Sequence, residues 1–395
     1  MENKLGFGMM RLPQKKCNDS LSIDIDTICQ MTDMFIEEGF NYFDTAYMYL
    51  NGKSEEVIKE VLSERYSRNK FILTTKLPLM LMNNKSQKEQ IFQQQLNKCG
   101  VKYFDYYLLH CVNFATYKKA EEWECFDFLS TLKSKGLAHN IGFSYHDNSQ
   151  LLNQILDLHP EIDVVQLQIN YLDWEDPLVQ SKMCYEVCVK HKKPVIVMEP
   201  VKGGTLATLP YAAEKLLRDY SPEESVASWA IRFVASLDNV LYVLSGMSNL
   251  LQVKDNIKTI KNFKPLVSEE RKIIKKVVEI INTSIEIHCT GCTYCVAGCP
   301  MSIPIPNYFA LYNLCTKFGG TSKEWFYDPV YINLIQNTLG STDTEWFNYE
   351  TYSKKGFGTA ATCVQCGKCE KICPQHLHIP ELMKKVSLKF DNKEI

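Results

Sequence analysis

Residues 71–77 read F-I-L-T-T-K-L. A short β-rich run that ends on a lysine suits a buried strand. Seven further runs of this kind are Lys4–Met9, Asn41–Thr45, Tyr103–His110, His139–Ser144, Val164–Asn170, Val195–Glu199 and Val240–Ser245. Helical patterns lie between them. One covers Asp26 to Glu38, with Ile28, Met31 and Phe35 on one face and Gly39 as its stop. Another starts at Ser54, a good N-cap, with Glu55 and Glu56 in its first turn. Strands alternating with helices predict a parallel sheet. Eight repeats in roughly 250 residues predict a closed (β/α)8 TIM barrel. A doubly wound sheet is the competitor, but no G-x-G-x-x-G follows the first strand, and Gly6-Phe7-Gly8 matches only its first three positions.

Barrel enzymes place their chemistry at the C-terminal ends of strands. Polar residues stand there on most of these runs: Asp44, Lys76, His110, Ser144, Asn170 and Glu199. A single polar strand end is usually a cap, but Asp, Lys and His on successive strands form a set. Tyr49 leaves the same strand as Asp44 and can fold back over the pocket. A tyrosine has a reference pKa of about 10, too high for efficient proton sharing at neutral pH. A nearby ammonium lowers it. Lys76 is expected to do so for Tyr49, with Asp44 holding Lys76 charged and His110 orienting a carbonyl oxygen. The set reads as a general acid aimed at an aldehyde or ketone.

The C-terminal third carries different chemistry. Residues 289–300 read C-T-G-C-T-Y-C-V-A-G-C-P, and residues 363–374 read C-V-Q-C-G-K-C-E-K-I-C-P. Both are C-x2-C-x2-C-x3-C-P, the spacing of a bacterial ferredoxin with two [4Fe–4S] clusters, in which the fourth cysteine ligates the other cluster. One cluster is expected on Cys289, Cys292, Cys295 and Cys373, the other on Cys363, Cys366, Cys369 and Cys299. Zinc sites use cysteine pairs, and disulfides need an oxidising compartment. The two runs are halves of a repeat: 289 and 363, 292 and 366, 295 and 369, and 299 and 373 are each 74 apart. Residues 301–362 separate the halves and are rich in aromatics, among them Tyr308, Phe309, Tyr312, Trp325, Phe326, Tyr327, Trp346, Phe347 and Tyr352. These predict a larger, helix-rich dicluster type whose insert packs a small core of its own. An apolar helical stripe, Ile273, Ile274, Val277, Val278 and Ile281, leads into the first cysteine loop. The expected domains are therefore 1–282, the barrel, and 283–395, the dicluster [4Fe–4S] ferredoxin-like domain.

The chain has 395 residues, 45% hydrophobic and 23% charged, with a net charge of −2. That balance is ordinary for a globular protein and gives no reason to expect nucleic acid. The N-terminus shows no signal-peptide pattern, and no apolar run reaches the roughly 18 residues of a membrane span. The expectation is a cytoplasmic protein without a membrane partner. Of 16 cysteines, eight lie in the two runs. The rest, including Cys17, Cys29, Cys99, Cys184 and Cys188, read as reduced packing thiols. Oxygen attacks exposed clusters, which points to an anaerobe as host.

Phe43-Asp44-Thr45-Ala46-Tyr47-Met48-Tyr49, Thr74-Thr75-Lys76, Leu108-Leu109-His110 and Ile141-Gly142-Phe143-Ser144 together resemble the aldo/keto reductase family. The resemblance covers about residues 1–260. The whole chain resembles the branch with a C-terminal dicluster ferredoxin. The family's tetrad falls on Asp44, Tyr49, Lys76 and His110. The resemblance implies NADP(H) or NAD(H), a small-molecule carbonyl substrate, Ser144, Gln168 and Asn170 around the nicotinamide carboxamide, and Gly246, Ser248, Gln252 and Asn256 around the adenosine end. Three positions depart from the family pattern. Ser248 stands where an arginine often meets the 2′-phosphate of NADPH, a contact that a hydroxyl does not replace. Met198-Glu199-Pro200 stands where a tyrosine often stacks on the nicotinamide. Cys111 stands where a tryptophan often lines the substrate pocket. A nicotinamide moves two electrons and a [4Fe–4S] cluster one, and no flavin motif is visible, although barrel phosphate loops hold FMN as readily as a dinucleotide. Three readings remain open here. They are a nicotinamide-dependent carbonyl reductase, an oxidoreductase exchanging electrons with a transfer protein through a flavin or by one-electron chemistry, and a redox-sensing scaffold.

Overall fold

A computed structural model describes residues 4–15, 22–177, 179–318, 349 and 356–392. Cys17, Trp325, Phe326, Tyr327, Trp346, Phe347 and Tyr352 lie outside the described residues. The chain forms two compact units, Met1–Val201 with Ala227–Ser268, and Lys202–Val226 with Glu269–Ile395. The division falls at residue 268, whereas the expected boundary at 282–283 lies one helix later.

The first unit is a closed barrel of eight parallel strands in sequential order. They are β1 (Leu5–Gly8), β2 (Tyr42–Asp44), β3 (Ile72–Leu77), β4 (Phe104–Val112), β5 (Ala138–Tyr145), β6 (Val164–Gln168), β7 (Val195–Met198) and β8 (Val240–Ser245). Each expected strand is found, with ends moved by a few residues. Helices between them cover the outside. The first, α1 (Ile25–Glu37), is capped by Asp24, which accepts from the Thr27 backbone N–H and hydroxyl at 3.3 and 2.8 Å. Its face of Ile28, Met31 and Phe35 is buried. Phe35 meets Phe7 edge-on at 5.5 Å between ring centres. Gly39, with φ of 89°, ends the turn in the left-handed region where a side chain is costly.

Inside the barrel, strand side chains stack in layers, because residues two apart share a face. Tyr42, Leu108, Val164, Ile196 and Leu244 form one apolar layer. Tyr42 stacks on Tyr242 at 3.9 Å and accepts a 2.6 Å hydrogen bond from the Thr74 hydroxyl. Two residues further along the same strands come Asp44, His110, Gln166 and Met198. The apolar layer is therefore the floor, and the polar residues are the next layer up. Gly142 in β5 admits the close approach of β6, since a Cβ there would lie 2.1 Å from the Val164 carbonyl oxygen.

In the second unit the 74-residue repeat is structural as well as sequential. Tyr294–Ala297 and Lys368–Lys371 are short helices at equivalent places, and Ile305–Phe318 and Ile379–Asp391 begin longer ones at equivalent places. Left-handed backbone recurs in register, at Gly291 and Gln365 (65° and 54°), Thr293 and Gly367 (66° and 68°), and Ser302 and His376 (50° and 52°). The halves share a core in which Ile303, Ile305, Tyr308, Phe309, Ile379, Met383 and Val386 are buried. Tyr308 and Phe309, two of the expected insert aromatics, belong to this core, and Tyr312 packs at its edge.

Candidate active site and cysteine loops

In the barrel, the Lys76 ammonium lies 2.6 Å from Asp44 Oδ1 and donates to the Thr45 carbonyl at 2.9 Å. It also donates to the Tyr49 hydroxyl at 3.4 Å and stands 5.0 Å from that ring's centre. Lys76 is fully buried and Asp44 is 2% exposed. The other oxygen of Asp44 accepts from Gln166 Nε2 at 2.9 Å. The His110 ring meets the Tyr49 ring edge-on at 5.8 Å. The four residues assembled from sequence thus converge in space. Gln166 is an addition, a group on β6 that sequence spacing did not associate with Asp44.

The electrostatics differ from expectation in one respect. Lys76 was expected to lower the Tyr49 pKa, but the phenol lies well above its usual value. Burial is the main cause, and the charges of Asp44 and Glu199 push the same way, with Arg11 opposing. Tyr49 is partly exposed, yet its hydroxyl is surrounded by protein. Burial also pulls His110 well below its usual range, helped by Lys76 and His146, so the imidazole is neutral. Burial lowers Lys76 too, while the charge and hydrogen bond of Asp44 hold it up. The barrel therefore holds a protonated phenol, a neutral imidazole and one compensated ion pair.

Two residues at the rim have left-handed backbone, Cys111 with φ of 59° and Glu199 with φ of 58°. Non-glycine residues in this region cluster at functional sites. Cys111 sits at a register shift between β4 and β5, and its N–H donates to the Ser144 hydroxyl at 2.8 Å. Burial pushes its thiol up to about 12, so it is neutral packing. Glu199 lies 4.0 Å from Arg11. Sequence reading did not single out Arg11; only its three-dimensional place beside Gly246 and Glu199 marks it.

The expected cofactor residues lie at strand ends and on the loop and helix after β8. Gln168 and Asn170 both donate to Asp173 Oδ2, at 2.8 and 2.7 Å. Asn170 also accepts from the backbone N–H groups of Leu172 and Asp173 at 3.0 and 2.9 Å, so it caps the loop after β6. Gly246 packs against the Arg11 side chain. The Ser248 hydroxyl donates to the Arg11 carbonyl at 2.7 Å, and its N–H donates to Gln252 Oε1 at 2.7 Å. Asn256 donates to the Ser245 hydroxyl at 2.8 Å beneath the loop. These contacts shape a preformed loop.

A second polar cluster lies outside the sheet, behind Lys76. Glu55 Oε1 accepts from Thr75 Oγ1 at 2.7 Å and Gln95 Nε2 at 2.6 Å, and Gln95 Oε1 accepts from Tyr107 at 2.7 Å. Gln95 also donates to the Lys76 carbonyl at 3.0 Å. Burial raises the Glu55 carboxyl above its usual value.

In the second unit, Cys299, Cys363, Cys366 and Cys369 line one void of about 370 Å³, open mouth included, with Met301, Ile303, Ile305, Pro380 and Met383 as apolar walls. The fourth cysteine of the first run thus faces the first three of the second. Cys295 has Cys289, Cys292, Cys373 and Cys369 as electrostatic neighbours, so cysteines of both runs surround it. Backbone N–H groups point at the sulfurs, Gly291 at Cys289 (3.4 Å) and Ile303 at Cys299 (3.5 Å). Among the described residues, no three His, Cys, Asp or Glu side chains gather tightly enough for a single ion. Four thiols around an apolar void suit a cluster instead. Also among the described residues, no helix is long and apolar enough to cross a membrane.

Comparison with known proteins covers both parts of the chain. The aldo/keto reductase family matches residues 4–279, and a 4Fe-4S dicluster domain matches residues 288–378. Aldo-keto reductase AKR2E4 of Bombyx mori is 25% identical over 252 residues, 60% of this chain and 78% of its own length. An uncharacterized oxidoreductase, YqkF, of Bacillus subtilis is 23% identical, over 69% of this chain and 92% of its own. Among solved structures, the holo form of aldo-keto reductase AKR11C1 from Bacillus halodurans superposes with a TM-score of 0.57 at 25% identity, over 69% of this chain and 91% of its own. The sequential eight-stranded barrel and the paired cysteine loops that follow it in the chain identify the protein as a member of the aldo/keto reductase family that carries a C-terminal 4Fe–4S dicluster domain.

Proposed function

We propose that the barrel, residues 1–282, reduces an aldehyde or ketone with a bound nicotinamide cofactor, and that residues 283–395 hold two [4Fe–4S] clusters. The observation that carries the reading is the Lys76–Asp44 pair placed 3.4 Å from a buried phenol beside a neutral imidazole. A bound nicotinamide would supply a hydride to the carbonyl carbon. Tyr49 gives its proton to the carbonyl oxygen. Because burial keeps the phenol protonated, the acid is loaded throughout the neutral range. Lys76 then faces the phenolate that proton transfer creates, and its charge stabilises that state. His110 is neutral and orients the oxygen by hydrogen bonding. Asp44, fixed by Gln166, keeps the ammonium charged and aimed. Ser144, Gln168 and Asn170 are assigned to the carboxamide of the nicotinamide, and Gly246, Ser248, Gln252 and Asn256 to the adenosine end. Ser248 brings no cation to a 2′-phosphate, so NADH is accepted alongside NADPH.

Cys289, Cys292, Cys295 and Cys373 are assigned to one cluster and Cys299, Cys363, Cys366 and Cys369 to the other. Each cluster supplies single-electron storage. An electron-transfer protein is the expected partner for that unit.

Tyr49→Phe tests the acid. The variant removes one hydroxyl and keeps the ring packing. Turnover of a small aldehyde should fall by about 10²–10⁴-fold, the usual worth of a positioned acid. Cofactor affinity, measured by fluorescence quenching, should change little. Retention of full activity by the variant would remove the tetrad from the mechanism.

A further inference from the structure

Lys202 lies three residues beyond Glu199 in the chain and starts a segment that groups with the second unit. Its backbone is left-handed, with φ of 47°, and it is only 2% exposed. A cation that is buried and also held in the left-handed region is doubly unfavourable unless something compensates it. Its ammonium donates to Gln375 Oε1 at 2.9 Å, and Gln375 is itself 6% exposed.

Gln375 follows Cys373 by two residues. The backbone N–H groups of Leu377 and Gln375 face the Cys373 sulfur, and Lys202 sets a positive charge near it. Glu370 acts in the opposite sense and is met by His378 Nδ1 at 3.2 Å. The 74-residue repeat supplies an internal comparison. The position answering Gln375 is Met301, whose side chain has no oxygen to receive an ammonium. The arrangement therefore exists on one half of the repeat only.

We infer that Lys202 tunes the reduction potential of the cluster bound through Cys373, making it easier to reduce. A cluster that accepts one electron gains one negative charge. A fixed ammonium in a low-dielectric surrounding favours that state over the oxidised one. Net charge and hydrogen bonds around the sulfurs are established controls of cluster potential. Lys202 acts through Gln375 and through space, so it is a positioning residue and not a ligand. The inference rests on the two-cluster reading above.

The test is an anaerobic redox titration of the full chain, followed by EPR, after iron and sulfide have been counted. In Lys202→Met one cluster signal should move to lower potential by at least tenfold in its oxidised-to-reduced ratio, about 59 mV for one electron. The other signal should stay in place. Lys202→Arg, which keeps the charge, should stay near the parent protein. Unmoved potentials in Lys202→Met would overturn the inference, as would an equal shift in Lys202→Arg, which would mean packing and not charge. Should Lys202→Met fail to fold, Gln375→Glu sets a carboxylate against the ammonium and must lower the same potential. No shift there also overturns the inference. A parent protein holding fewer than two clusters overturns the cluster reading itself, and the inference with it.

Discussion

The barrel site buries its reactive groups, whereas the cysteine loops leave most of theirs partly exposed and Cys366 more so, and the two are organised by opposite means. In the barrel, charge is balanced by charge. Lys76 meets Asp44, Asp44 meets Gln166, and the set is complete without a ligand. In the loops, backbone conformation does the work. Left-handed residues at matched positions turn N–H groups toward sulfurs that surround a void. The barrel layer is thus organised by side chains contributed from separate strands, and each one is individually costly to lose. The loops are organised by local turns, and their stability depends on what fills them.

That contrast breaks if the loops prove as self-sufficient as the barrel. Removing iron with a chelator under oxidising conditions should unfold most of the second unit and leave the barrel standing. Limited proteolysis should then cut rapidly within residues 283–395, while far-UV circular dichroism retains the barrel's share. Simultaneous loss of both would show that the barrel depends on the clusters. A sharper test concerns the ion pair. Lys76→Met strands Asp44 in the interior, and breaking a buried pair costs about 3–5 kcal/mol. The double variant with Asp44→Asn should recover much of that stability and none of the activity, as thermal melts and aldehyde turnover would show. If the single variant melts with the parent protein, the pair does not carry the layer.

The smallest expected effect lies behind the layer. Burial raises the Glu55 carboxyl above the reference for an exposed glutamate. Between the unfolded and folded pKa values the native state keeps a proton that the unfolded chain has lost. Stability attributable to this group therefore falls as pH rises through that window, by up to about 1.4 kcal/mol per pH unit. Glu55→Gln should flatten that slope above pH 4.5 and stabilise the protein at neutral pH. Urea melts at several pH values measure it. An unchanged slope would place the proton elsewhere.

The strands were legible because each is a compact β-rich run, and period-two alternation carries the polar layer with it. Asp44, Lys76 and His110 could be read off strand ends for that reason. Gln166 could not, since 122 residues separate it from Asp44 and only barrel closure brings them together. Asp173, which receives both Gln168 and Asn170, was hidden in the loop after β6. The expected net lowering of the Tyr49 pKa is not seen, because a charge partner such as Lys76 is visible in sequence and the depth of burial that outweighs it is not. Cysteine spacing disclosed the repeat, whose short helices stand at equivalent places in both halves, because those turns are local. Lys202 left no signal, because its meaning depends on Gln375, which is 173 residues away.

Two clusters held in copies of one loop and helix would make a two-way wire, with neither end marked as entrance or exit. Direction comes only from where the copies diverge. Gln375 and Met301 are such a divergence, placed at matched positions just past the last cysteine of each half. Electron flow through this protein would then owe its polarity to a substitution in an otherwise duplicated element, and to a lysine donated by a segment of chain outside the duplication.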